Sequence, residues 1–309
     1  MPVIFVFVDG VGVGANDPDR NPLSRGAFLL SRFADGSGTT LPGGGRASVA
    51  DAALGVPGRP QSATGQTALL TGENAPQVLG RHLLGYPNER LRALLAERSI
   101  FRRLTEAGRR TAFANPFPVA YLRAIGVPCE GDPEVSLSGR RLRVSASTAA
   151  FAAGGQRFCT FADARAGRAL PADLTGRRMR QLGAELPERS PEEWAEILAR
   201  IAAAHELTLF ELFETDEAGH AQSMEAALLV LERLDRFLRA LVAKLPPEGA
   251  LLVTSDHGNL EDLSIRNHTR APVPVLGFGR AAGRVDQVRD LTCVAPLLET
   301  LVGEAAGQG

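Results

Sequence analysis

The chain has 309 residues, 44% of them apolar, and a formal net charge of −1. That is enough for one large α/β domain or a core with a small inserted domain, and the near-neutral, interspersed charge points away from nucleic-acid and membrane surfaces and toward a small-molecule substrate. Cys129, Cys159 and Cys293 fit neither a disulfide framework nor a zinc knuckle and read as small buried hydrophobes, while Lys244, the only lysine, leaves no candidate for the phosphate-binding lysine of a P-loop.

The first predicted element is Val3 to Val8, a continuous apolar, β-branched run of the kind buried on both faces of a parallel sheet, with Asp9 at its end. The run is too short for a signal peptide or a membrane span, so the expectation is a cytoplasmic protein. Next, Ser62-Ala-Thr-Gly-Gln precedes the small and apolar run Thr67 to Gly72, which places Ser62 at a loop-to-helix junction. A helix start offers free N–H groups and a positive dipole end to an anion such as phosphate, although Ser62 or Thr64 could equally be an N-cap.

Residues 116–189 are rich in glycine, proline and arginine, with short β-like runs such as Leu142 to Ser147, and read as a small inserted cap. The core is then residues 1–115 and 190–309. Ser190-Pro-Glu-Glu193 carries a capping box and an N1 proline, starting a helix that runs to about Ala204. Leu207 to Phe213 is a further strand leading to Asp216, with His220 one helical turn beyond. Met224 to Leu245 has the helical spacing of a covering helix, and Ala250 to Ser255 is another apolar strand, followed by Asp256, His257, Gly258 and Asn259. His268 lies in the polar loop after it.

Strands alternating with helices predict a mainly parallel sheet covered on both faces, whose ligand site lies beyond the carboxyl ends of the strands. Three carboxylates stand at three such ends, and three of the chain's five histidines accompany them. Asp9, Asp216, His220, Asp256, His257 and His268 are thus candidate ligands for two metal ions. Ser62 is the candidate nucleophile, a weak one at its free pKa that a divalent metal would activate. Together these residues point to phosphoryl transfer.

The motifs DGVG at Asp9, SATGQTALLTG at Ser62, DEAGH at Asp216, TSDHGN at Asp256 and NHTRAPVPVL at His268 resemble the alkaline phosphatase superfamily, in particular the branch of cofactor-independent phosphoglycerate mutase and phosphopentomutase. The most specific feature is TSDHGN followed by HTR. The resemblance implies a three-layer α/β/α sandwich with a mainly parallel sheet. It implies one metal held by Asp216, His220 and His268 and a second by Asp9, Asp256 and His257 with the Ser62 oxygen. Both would be divalent, manganese or zinc, and the reaction would pass through a phosphoserine.

Two departures bear on the activity: Gln66 stands where the resembling mutases carry histidine, and the cap is shorter than theirs. They favour a phosphate ester hydrolase over an intramolecular phosphomutase. A catalytically silent metal-binding module is a third reading, against which the intact ligand set argues. Thr64, Gln66, Arg270 and His82 flank the motifs and are candidate substrate contacts. The expected partner is a small-molecule phosphate ester, with no nucleic acid and no membrane, and no sequence feature speaks to oligomeric state.

Overall fold

The computed structural model describes residues 1–131, 133, 135 and 142–306, with side chains described as far as residue 304. In chain order the elements are β1 (Val3–Val8), β2 (Arg46–Ala50), α1 (Ser62–Thr71), α2 (Ala75–Leu79), α3 (Glu89–Arg98), α4 (Ile100–Glu106), β3 (Thr111–Phe113), α5 (Val119–Ala124) and α6 (Ala146–Ala153). There follow α7 (Phe161–Arg165), α8 (Arg177–Gln181), α9 (Pro191–Ala203), β4 (Leu207–Leu212), α10 (Glu214–Ala221), α11 (Met224–Ala243), β5 (Ala250–Thr254), β6 (Val273–Gly279) and α12 (Val294–Ala306).

The strands form one sheet in the order β2-β6-β5-β1-β4-β3. β5, β1, β4 and β3 run parallel, and β6 is reversed between β5 and β2. β1 occupies the middle, and none of its residues is more than 3% exposed. Successive side chains of a strand point to opposite faces, so β1 feeds two cores. Ile4, Val6 and Val8 pack with Phe210, Leu212, Trp194 of α9 and Leu231 and Phe237 of α11. Val3, Phe5 and Phe7 pack on the other side with Leu209, Leu69 of α1, Phe101 of α4, Phe151 of α6 and Leu298 of α12. The result is the three-layer α/β/α arrangement with a mostly parallel sheet that the sequence predicts.

The capping box at Ser190 and Glu193 forms as expected, with the serine hydroxyl accepting from the Glu193 amide and the glutamate accepting from the Ser190 amide. Part of the β-like run is corrected: residues 142–145 are irregular, and at Ala146 a helix begins, because the Ser145 hydroxyl accepts from the Thr148 amide and an alanine-rich stretch follows. Helix α6 packs against α1, α3 and α4, so residues of the 116–189 segment contribute to a sheet-covering layer. The cysteines are free and only half-buried rather than fully buried, packed against the edges of the two cores. Among the described residues no helix is long and apolar enough to cross a membrane.

Candidate metal centre and nucleophile

Register brings the site together. Val8 of β1 pairs with Leu212 of β4, and Phe7 with Thr254 of β5, so the carboxyl ends of the three central strands lie side by side. Asp9 and Asp256 follow two of them, while Asp216 and His220 share one face of α10, the helix that leaves β4. The chain must turn sharply after Asp9, and Gly10 has φ +70°. A Cβ at that position would lie 2.6 Å from Asp216 Oδ1, so glycine is required by conformation and by proximity alike.

The ligating atoms fall into two groups, Asp216 with His220 and His268, and Asp9 with Asp256 and His257, each within 4.8 Å of one another. In the first, Asp216 Oδ2 is 3.3 Å from His220 Nε2 and Oδ1 is 3.5 Å from His268 Nε2. In the second, His257 Nε2 is 3.3 Å from Asp9 Oδ1 and 3.5 Å from Asp256 Oδ2. The groups abut, the His257 and His268 rings stacking with centroids 3.7 Å apart.

Three observations fit divalent cations. His220 Nδ1 faces the Arg266 carbonyl at 2.7 Å and His268 Nδ1 the Pro60 carbonyl at 3.1 Å. A carbonyl only accepts, so each Nδ1 is the donor and, in the neutral ring, the Nε2 lone pair is the one that faces inward; the two Nε2 atoms lie 3.2 Å apart. Asp9 Oδ1 is buried and finds no hydrogen-bond donor among the described residues. The charges are also unbalanced: burial, followed by repulsion from Asp256, Asp216 and Glu211, pushes the Asp9 carboxyl well above the usual range. Burial, with Asp216 next, pushes Asp256 up to about 7. Burial drives His257 down to about 4, and burial with the neighbouring His257 does the same to His268. Mixed carboxylate and imidazole donors suit manganese or zinc.

Ser62 is the first residue of α1, and Gln61, not Ser62 or Thr64, is the N-cap position. The Ser62 hydroxyl is therefore spared for another partner and lies 3.0 Å from His257 Nε2. A Cβ on Gly65 would lie 2.7 Å from the Asp256 carbonyl oxygen, so a larger residue would push α1 away from that group.

Ser62, Asp9, Asp216 and Gln66 open into a cavity of about 520 Å³, walled by residues from the core and from the 116–189 segment. Gln66 also donates from Nε2 to Asp256 Oδ2 at 3.2 Å. The other candidate substrate contacts stand elsewhere. Thr64 is fully buried with its hydroxyl donating to the Gln61 carbonyl, His82 contacts the Val56 carbonyl, and Arg270 donates to the Gly58 carbonyl; none lines the cavity.

Sequence reasoning missed two buried acids. Glu261 accepts from the Gly12 and Asn259 amides and from Thr269, bracing the loop in which Asn259 Nδ2 donates to Asp216 Oδ1 at 2.7 Å. Glu211, in β4, lines the cavity and is pushed up to about 7 by burial. Its signal was an acid at an inward position of a buried strand.

Residues 185–299 match the model of the Metalloenzyme superfamily. The 2,3-bisphosphoglycerate-independent phosphoglycerate mutase of Cereibacter sphaeroides is 33% identical over 126 residues, covering 38% of this chain and 25% of that protein. That of Agrobacterium fabrum is 35% identical over 125 residues, with the same coverages of 38% and 25%. The chain thus spans about a quarter of the length of the curated relatives it matches. A Pyrococcus horikoshii protein superposes with a TM-score of 0.57 at 13% identity, covering 98% of this chain and 96% of that one. The Thermus thermophilus alkaline phosphatase gives 0.55 at 14%, covering 98% and 91%. These structural likenesses show the fold. Residues 185–299 thus match the Metalloenzyme superfamily, and the fold beneath them is an alkaline-phosphatase-like core.

Proposed function

We propose that the protein is a metal-dependent phosphoryl-transfer enzyme, a phosphate ester hydrolase acting through a phosphoserine at Ser62. The observation that carries this reading is the Ser62 hydroxyl at the first position of α1, beside His257 and open to the cavity that also exposes Asp9 and Asp216. Divalent ions, held by Asp216, His220 and His268 and by Asp9, Asp256 and His257, would supply positive charge to the phosphate and lower the pKa of the serine hydroxyl.

The chain's own residues do the rest. Ser62 gives up its hydroxyl proton as Oγ attacks phosphorus in line with the ester bond, the P–O ester bond breaks and the leaving oxygen takes up a proton to depart as the alcohol, and water later cleaves the phosphoserine to phosphate and the free serine hydroxyl. The free amides in the first turn of α1 favour the negative charge carried by that segment. Gln66 and the Gly10 amide, at 3.2 and 3.4 Å, hold the Asp256 carboxylate oxygens, and Asn259 holds Asp216. The 116–189 segment acts as the cap, supplying Phe117, Ser145 and Phe161 to the wall.

Hydrolysis is favoured over an intramolecular mutase because the cavity reaches the surface, with the exposed Tyr86 and Glu217 on its lining, whereas a mutase must keep water from the phosphoenzyme. Phosphate release from an aryl phosphate by metal-stripped protein, with manganese or zinc restored, tests the proposal. Metal-dependent release supports it, and full metal occupancy without release from any ester contradicts it.

A further inference from the structure

One lining residue of the cavity has no part in the proposed chemistry. Glu211 belongs to neither ligand group, and it stands on the face of β4 shared with Leu207 and Leu209, whose neighbours are Phe7, Phe113 and Leu69. Packing alone calls for an apolar residue there, since a buried carboxylate is costly unless something pairs with it. Its backbone is fixed by reciprocal bonds with the Asn115 side chain, both 2.8 Å. Its Oε2 accepts from the Ser147 hydroxyl at 2.5 Å. Among the described residues Oε1 has no hydrogen-bond partner, and the carboxylate lines the cavity as an acceptor.

The other walls favour a cation. Aromatic side chains contribute, Phe113, Phe117, Phe161, Phe213 and Tyr86 among them. Among the described residues the one basic side chain on the lining is Arg178, which is paired with Glu217 and lies 4.5 Å over the Phe213 ring. Asp173, also on the lining, is occupied by the amides of Thr175, Gly176 and Arg178. A leaving group bearing an acid would meet Glu211 with no unpaired basic side chain among the described lining residues to receive it; one bearing an ammonium would find a carboxylate and aromatic rings.

We propose that Glu211 determines leaving-group specificity, and that the cavity takes phosphate esters of amino-bearing alcohols in preference to those of hydroxy acids. This rests on the phosphoester reading above, so binding and turnover are measured separately on the full chain loaded with manganese or zinc. Calorimetry compares 3-aminopropanol with 3-hydroxypropanoate, and kcat/KM compares the phosphate esters of these two alcohols and of propanol.

The expected order is amino, then alkyl, then acid. Glu211→Gln should reduce the amino-to-alkyl ratio, in affinity and in kcat/KM, by roughly tenfold or more, with the loss in KM rather than kcat. Glu211→Asp should restore part of it. Acid-bearing ligands bound as well as amino-bearing ones, or a ratio unmoved by Glu211→Gln in protein of unchanged metal content, overturns the assignment. If no ester is turned over while the amino alcohol still binds through Glu211, the phosphoester reading fails and the cation site stands.

Discussion

Asp256 offers a test in which stability and ligand binding pull in opposite directions. Its carboxyl is fully buried, and burial first, with Asp216 next, raises its pKa from 3.8 to about 7. An acid raised in the folded state adds stability below its unfolded pKa and loses it as pH rises through the folded one. Metal-stripped protein therefore carries at pH 8 a penalty of roughly 2–4 kcal/mol from this one group. Asp256→Asn removes the charge while its carboxamide oxygen can still accept from Gln66, at the cost of the long 3.4 Å bond that the Gly10 amide gives to Oδ1. In chelator at pH 8 the variant should melt higher than wild type, by about 5 °C. The gap should shrink by about half at pH 5. Adding manganese or zinc should reverse the order, because wild type gains binding energy that the variant largely lacks. A variant that melts lower than wild type in chelator at pH 8, or that responds to metal as wild type does, would refute the reasoning.

Further expectations concern single groups. Ser62→Ala should abolish turnover yet bind both metal equivalents, checked by elemental analysis beside a phosphate-release assay; retained turnover removes the nucleophile assignment. His220→Ala should lose about one equivalent of metal, the Asp9 group keeping its own, and full occupancy would contradict the partition between the groups. Gly10→Ala places a Cβ against Asp216 at a left-handed φ, so melting should show a loss of roughly 1–3 kcal/mol, and an unchanged melting temperature would contradict the close approach. In chelator, Glu211→Gln should gain on wild type as pH rises from about 4.5 through 7, because the glutamate's raised pKa makes its ionised form the costly one; parallel pH–stability curves would count against this.

Much of the site was legible because its residues stand at strand ends. β1, β4 and β5 are apolar runs whose pattern has one reading, and a parallel sheet then forces Asp9, Asp256 and the start of α10 together. Ser62 was harder to read, since a serine before a helix is usually a cap; only the backbone shows that Gln61 takes that position. Glu211 and Glu261 escaped notice because their roles depend on Asn115, Ser147 and Gly12, partners distant in sequence. Arg270 and His82 sit close in sequence to the motifs, but carbonyls of the 56–58 loop engage them away from the cavity. The run at 142–147 misled because β-branched and small residues suit a strand as well as a capped helix start, and tertiary packing of α6 decided between them.

The most direct test of the central claim is acid quenching of the metal-loaded protein during turnover of an aryl phosphate, followed by peptide mass spectrometry. The account predicts one phosphoryl group on the peptide containing Ser62, absent in chelator and in Ser62→Ala. Steady turnover with an unmodified Ser62 peptide, or phosphate on another residue, would contradict it.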